Sequence, residues 1–157
     1  VMRKKIEVPY ISQMPDGGYC GVGALHMIVN FYGFNILQRE LLKQFKNYKK
    51  IKEEGAALSE ISIVARKLGF SAREFNGLHL DDLIAHINED LPIIANCKCH
   101  WNAKTHHCYV AKGYDDEKEI IYVNDPAHFN KKFFHFKTFN KLWDGDSFSN
   151  SLLVKPK

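Results

Sequence analysis

Midway along the chain, at Leu91-Pro92-Ile93-Ile94-Ala95, apolar residues stop recurring every three or four positions and begin to run together. The first spacing builds one face of a helix; the second suits a buried strand. Before the change, the pattern predicts a helix from Cys20 to Tyr32, with Val22, Leu25, Val29 and Tyr32 on one face and Gly33 as its stop. A second, capped by Asn35, carries Leu37, Leu41 and Phe45, and a third, capped by Ser59, carries Ile61, Val64 and Leu68 and ends at Gly69. A shorter fourth holds Leu80, Leu83, Ile84 and Ile87. After the change, strands are expected at residues 107–114 and 119–124, joined by the charged turn Asp115-Asp116-Glu117-Lys118, with a last strand at residues 151–154. Helices first and an antiparallel sheet second define an α+β domain. No linker or repeat divides residues 1–157, and a chain of that length can bury one sizeable core, so one domain is expected.

Composition excludes several partners. No apolar run approaches the roughly 18 residues of a membrane span, and the basic N-terminus lacks the apolar stretch of a secretory signal. The net charge of +4 is spread along the chain, and its one cluster, Lys43, Lys46, Lys49, Lys50 and Lys52, reads as a solvated helix end. Without a denser basic stripe or a nucleic-acid module, no nucleic-acid partner is expected. The four cysteines, one early and three at Cys97, Cys99 and Cys108, make a poor disulfide framework and suit a reducing compartment.

Cys20 lies where the turn Asp16-Gly17-Gly18-Tyr19 runs into the first helix. Unpaired N–H groups and the positive dipole end at such a place favour thiolate over thiol. A base and an orienting carboxylate are present downstream, in His106-His107 and Asn124-Asp125-Pro126. His107 opens one strand of the predicted hairpin and Asp125 closes the other, which would set them side by side at one rim of the sheet. Adjacent strand residues face opposite ways, so only one of His106 and His107 can face Cys20, and His107 is preferred. The backbone N–H of Cys20 and the side-chain amide of Gln13 are the natural oxyanion donors.

The segment Gln13-Met14-Pro15-Asp16-Gly17-Gly18-Tyr19-Cys20-Gly21, followed by Gly23-Ala24-Leu25-His26-Met27 and Phe31-Tyr32-Gly33, resembles the cysteine motif of the bacteriocin-processing peptidases, the cysteine peptidase domains of peptide-exporting ABC transporters. Gly55-Ala56-Ala57-Leu58, Ala65-Arg66-Lys67-Leu68-Gly69-Phe70, Gly113-Tyr114-Asp115, Asn124-Asp125-Pro126-Ala127 and Trp143-Asp144-Gly145 continue the likeness over nearly the whole chain. The resemblance implies a papain-like fold, with Cys20 as nucleophile, His107 as general base, Asp125 as its partner and Gln13 as oxyanion donor. It also implies cleavage of a leader peptide after a double-glycine type site without a cofactor or metal. That cleavage is coupled to export through the membrane and ATPase parts of an ABC exporter, at the cytoplasmic face of the membrane. The chain departs from the exporter pattern in having Tyr19 before Cys20, a lengthened turn, and Cys108-Tyr109 after the histidine. The aromatic-rich residues Phe129 to Phe139, read as exposed, and the second helix are candidates for leader docking.

Three rivals remain at this stage: a papain-like acyltransferase using an amine in place of water, a peptide-binding domain without activity, and a zinc-binding domain. Cys97, Cys99, His100, His106 and Cys108 carry the zinc alternative. His26, His79, His86, His128 and His135 are expected to be solvated or packing residues, and Trp143 a core anchor.

Overall fold

A computed structural model describes residues 2–99, 101–102, 105–143 and 149–157. Its centre is one antiparallel sheet. The strands are β1 (Arg3–Lys5), β2 (Phe70–Asn76), β3 (Ile93–Lys98), β4 (His106–Asp115), β5 (Ile120–Asn124), β6 (Phe133–His135) and β7 (Ser149–Pro156). Their order is β2-β7-β3-β4-β5-β6, and β1 pairs with the end of β4 that β3 leaves free. Helices α1 (Cys20–Phe31), α2 (Gln38–Leu42), α3 (Ile51–Glu54), α4 (Leu58–Lys67), α5 (Leu80–Asn88) and α6 (Phe136–Trp143) complete the fold. Among the described residues no helix is long and apolar enough to cross a membrane.

α1 is an unusually apolar helix, buried from Gly21 to Val29, and it packs on β4. Its first turn approaches its neighbours closely: a Cβ on Gly23 would lie 3.0 Å from Gln13 Cβ and 3.1 Å from Pro126 Cβ, so these would have to give way by a few tenths of an ångström. α4 covers β2 and β7, while α5 lies against β1, β3 and β4. The core joins both halves of the chain, with Leu25, Met27 and Ile28 from α1, Ile61 from α4 and Ile93, Tyr109 and Ile121 from the sheet all fully or nearly fully buried.

The extended lead before α1 straps the helical half to the sheet. Ile6 N–H donates to the Lys112 carbonyl at 2.7 Å and Gln13 N–H to the Pro126 carbonyl at 2.9 Å. Between them, Asn124 Nδ2 donates to the Val8 carbonyl at 3.2 Å, and Tyr10 Oη to the Asp125 carbonyl at 2.6 Å. Burying these backbone groups together is favourable only because each finds a partner.

Several expectations require correction. The second helix is a single turn and a half, Gln38–Leu42, with the exposed Leu37 and not Asn35 preceding it. Asn35 instead accepts from Asn30 Nδ2. α4 starts at Leu58, ahead of Ser59, because Glu60 Oε1 accepts the Ala57 N–H at 3.0 Å and closes the first turn. The stretch Phe129 to Phe139 is not an exposed aromatic surface: Phe134 and Phe139 are core residues, and Phe129 and Phe133 are the exposed ones. Trp143 needs no correction: expected as a core anchor, it is buried, its Nε1 donating to the Asn150 carbonyl at 3.0 Å. Asp144 and Gly145 lie outside the described residues.

Candidate active site

Among the described residues no side chain caps α1, and no acidic residue occupies its first turn. The dipole end of the helix is therefore left for Cys20, its first residue. β4 brings two side chains to the sulfur: His107 and Cys108 both lie within hydrogen-bonding reach of Cys20. β5 ends at Asn124, paired with Val110 of β4, and the next residue turns its carboxylate back onto His107. Asp125 Oδ1 sits 2.6 Å from His107 Nε2, with His107 4% exposed and Asp125 fully buried. Since Nε2 is engaged by Asp125, Nδ1 is the ring nitrogen left for Cys20. Cys20, His107 and Asp125, chosen from sequence, thus meet in one chain of contacts, while His106 is exposed and lines the neighbouring cleft.

Asp125 serves more than one group. Its Oδ1 also accepts the Ala127 N–H at 2.9 Å, and its Oδ2 lies 3.0 Å from His128 Nδ1. Trp101 stands over both histidine rings, 4.8 Å from His107 and 4.7 Å from His128, edge to face in each case. His128 was read from sequence as a solvated or packing residue; the structure places it on the candidate carboxylate. The Asp-x-x-His spacing within one tight turn is the signal that reveals it. Cys108, weighed from sequence only as a zinc ligand, is instead a neighbour of Cys20, because the packing of α1 on β4 brings the two together.

Gln13 lies on the incoming strap with its side chain against Gly23 of α1. Its Nε2 donates to the Gly17 carbonyl at 3.2 Å, which occupies one of the two amide hydrogens. Its Oε1 is buried and has no partner among the described residues.

The electrostatics favour an ion pair. The Cys108 hydrogen bond, together with the bond and charge of His107, holds the Cys20 thiol well below its ordinary range against the opposing effect of burial. Cys108 moves the other way, raised by the same contact and by burial, so it remains the thiol that donates to the Cys20 thiolate. Burial acts to lower His107, but its bonds to Asp125 and Cys20 outweigh it and raise the ring to about 9. Burial works against ionisation of Asp125 as well, and the His107 contact overrides it to leave the carboxyl below its usual value. Cys97 and Cys99 are pushed up, chiefly by burial.

These directions predict a reactivity profile. At pH 6 a free thiol is less than about 1% thiolate, whereas Cys20 is expected to be alkylated readily by iodoacetamide, with Cys97, Cys99 and Cys108 unmodified on peptide mapping. Activity should decline as pH rises through about 9, where His107 loses its proton. Stability follows the same groups. The contribution of His107, whose folded value is raised from 6.5, is complete below about 6.5 and lost as pH passes about 9. That of Asp125, whose value is lowered, is present above the ordinary carboxyl range and lost as pH falls through its folded value. Thermal melts across pH check both limbs; a midpoint that rises between pH 8 and 10 would contradict the assignment to His107.

A cleft of about 660 Å³ opens beside the sulfur, lined by Gly18, Cys20, Gly55, Asn96, His106, His107 and Cys108, with Glu53, Glu54 and Glu60 on one wall. A second groove of about 560 Å³ shares Ala57, Asn96 and His106 with it and continues to Glu74, Asn76 and Ser149. Among the described residues no group of three or more His, Cys, Asp or Glu side chains is placed to hold a metal. Cys99 instead accepts from Thr105 Oγ1 at 3.0 Å, and His100 lies outside the described residues.

A thiol at a helix N-terminus, set against a histidine and a carboxylate on neighbouring antiparallel strands, is the arrangement of a papain-like fold. The chain belongs to the peptidase C39-like family, which matches residues 5–150. Its fold is that of solved C39 peptidases. The double-glycine motif protease from an AMS/PCAT transporter, solved with its leader peptide, superposes with a TM-score of 0.76 at 22% identity, covering 100% of this chain and 97% of that one. The peptidase domain of Streptococcus ComA, a bi-functional ABC transporter involved in quorum sensing, gives 0.74 at 21% identity with 98% of each chain covered. A putative C39-like peptidase from Bacillus anthracis gives 0.74 at 17%, again over 98% of each. No curated protein matches the sequence significantly.

Proposed function

We propose that this protein is a cysteine endopeptidase that removes the leader of a peptide precursor after a double-glycine type site. The observation that carries the proposal is the contact chain Cys20, His107, Asp125, with Cys20 and His107 lining a cleft of about 660 Å³. Membership of a C39-like family and the fold shared with leader peptidases of transporters support the substrate class.

In this mechanism Cys20 Sγ attacks the carbonyl carbon of the scissile bond, and the carbonyl oxygen becomes an oxyanion held by the Cys20 N–H and the second amide hydrogen of Gln13. His107, already protonated, gives its Nδ1 proton to the leaving amine as the C–N bond breaks, which leaves a thioester on Cys20. Water then attacks the thioester; His107 takes its proton, and the thiolate departs. Asp125 holds His107 in the tautomer that presents Nδ1 to the sulfur. The released peptide is passed to the membrane and ATPase parts of an ABC exporter, which places the reaction at the cytoplasmic face of the membrane.

Mass spectrometry of a synthetic leader peptide ending in Gly-Gly and followed by several residues of cargo, under reducing and metal-free conditions, tests the proposal. Cleavage after the second glycine, blocked by a Gly→Val change there, is the expected result. An intact peptide, or a product joined to an added amine in preference to water, would overturn it.

A further inference from the structure

Behind the site, and not in contact with Cys20, lies a buried polar group that the mechanism above does not use. Gln38, the first residue of α2, is 8% exposed and makes three hydrogen bonds. Its Oε1 accepts the Met14 N–H at 2.7 Å, and its Nε2 donates to the Ser12 carbonyl at 3.0 Å and to His26 Nδ1 at 3.1 Å. The amide orientation is not arbitrary. Met14 offers only a hydrogen and Ser12 only an oxygen, so the two ends of the amide cannot be exchanged. His26 fixes the same choice from the other side: its Nε2 lies 2.7 Å from the Ile36 carbonyl and must carry the hydrogen, which makes Nδ1 the acceptor. Burial holds His26 below its ordinary value, outweighing the Ile36 bond, and so keeps it neutral.

Ser12 and Met14 are the two neighbours of Gln13. Gln38 therefore grips the backbone on both sides of the residue whose amide serves the oxyanion, while the Pro126 carbonyl fixes the N–H of Gln13 itself. The side chain of Gln13 is then stopped by Gly23 and tethered by Gly17. From this geometry we infer that Gln38, backed by His26, is a positioning residue that aims the Gln13 amide at the oxyanion. This rests on the peptidase reading for the role of Gln13. A hydrogen bond to a developing charge is sensitive to displacements of well under an ångström, so a grip on the backbone bears directly on it.

The test separates the oxyanion from the thiolate. A peptide aldehyde, acetyl-glycyl-glycinal, adds reversibly to a thiol: an S–C bond forms, the carbonyl becomes a single bond, and its oxygen occupies the oxyanion position. Its affinity is read from protection of Cys20 against iodoacetamide, while the unprotected alkylation rate reports the Cys20–His107 pair alone. Gln38→Met, which keeps volume and removes all three bonds, is expected to weaken aldehyde binding about ten- to hundredfold and to leave the alkylation rate within about twofold of wild type. In a Gln13→Ala background the same change should add nothing, because the group it positions is gone. Gln38→Glu keeps the shape and the Met14 bond but sets an oxygen against the Ser12 carbonyl; it should reproduce the pattern if Gln38→Met does not fold.

Equal losses in the two backgrounds, a parallel loss of alkylation, or unchanged aldehyde affinity would each overturn the inference and leave Gln38 a structural residue. Wild-type protein that binds the aldehyde but does not hydrolyse a Gly-Gly peptide would overturn the peptidase reading and leave the Gln38 role standing. No adduct with wild type would overturn both.

Discussion

Replacing Cys20 by alanine is expected to reduce cleavage of a Gly-Gly leader peptide by at least about 10⁴-fold in kcat. The remaining groups cannot supply what is lost. His107 is a base without a nucleophile beside it, and Asp125 has no path to the substrate except through His107. Cys108 is no substitute: it is buried on a strand and not at the dipole end of α1, and burial still raises its thiol once the Cys20 contact is gone. The fold should tolerate the change, because a single partly buried sulfur is removed; a stability change within about 1 kcal/mol is expected from thermal melts. Mass spectrometry of the peptide with both proteins checks the first expectation. A variant that retained more than a hundredth of the wild-type rate would remove Cys20 from the mechanism.

The second large effect is at Asp125, where activity and stability are coupled. Asp125→Ala leaves His107 Nε2, His128 Nδ1 and the Ala127 N–H without their acceptor, in a region where the carboxylate was fully buried. An orphaned buried donor costs about 1–3 kcal/mol and more for a charged one, and breaking a buried ion pair costs about 3–5 kcal/mol, so a loss of about 3 kcal/mol or more is expected. His107 loses its main support against burial, so its value should fall from about 9. The basic limb of the alkylation profile should move down with it. Cleavage should drop by about 10²- to 10⁴-fold. Asp125→Asn separates the two: it keeps the volume, restores most of the stability, and still loses activity because an amide cannot satisfy two histidine donors and hold the His107 tautomer. If Asp125→Asn hydrolysed the peptide at the wild-type rate, the carboxylate would be a structural group only.

What could be read from the residues alone follows from how local each feature is. α1 and the β4–β5 hairpin announce themselves, the one by its apolar spacing and Gly33, the other by its apolar runs about a charged turn. β2 does not: an edge strand of mixed burial, Phe-Ser-Ala-Arg-Glu-Phe-Asn, it is held by pairing with β7, some eighty residues later in the chain. β6 and α6 read in sequence as one exposed aromatic stretch, because Phe134 and Phe139 become core residues only in the folded sheet, where β6 pairs with β5. The site divides in the same way. Cys20, His107 and Asp125 are legible because their chemistry is particular to their residue types. His128, Cys108 and Gln38 are common residues that gain their meaning from what folds against them, and no local pattern sets Gln38 apart from any other polar residue of a short helix.

The order of those parts along the chain has a further consequence. The thiol is made early and its base and carboxylate late, with the strap that carries Gln13 closing onto Lys112 and Pro126 only after both have been made. At about 5–20 residues per second, several seconds of synthesis separate Cys20 from His107 and Asp125. During that interval Cys20 lacks the Cys108 and His107 contacts that lower its thiol in the folded chain, so its reactivity is expected to appear only when the sheet closes.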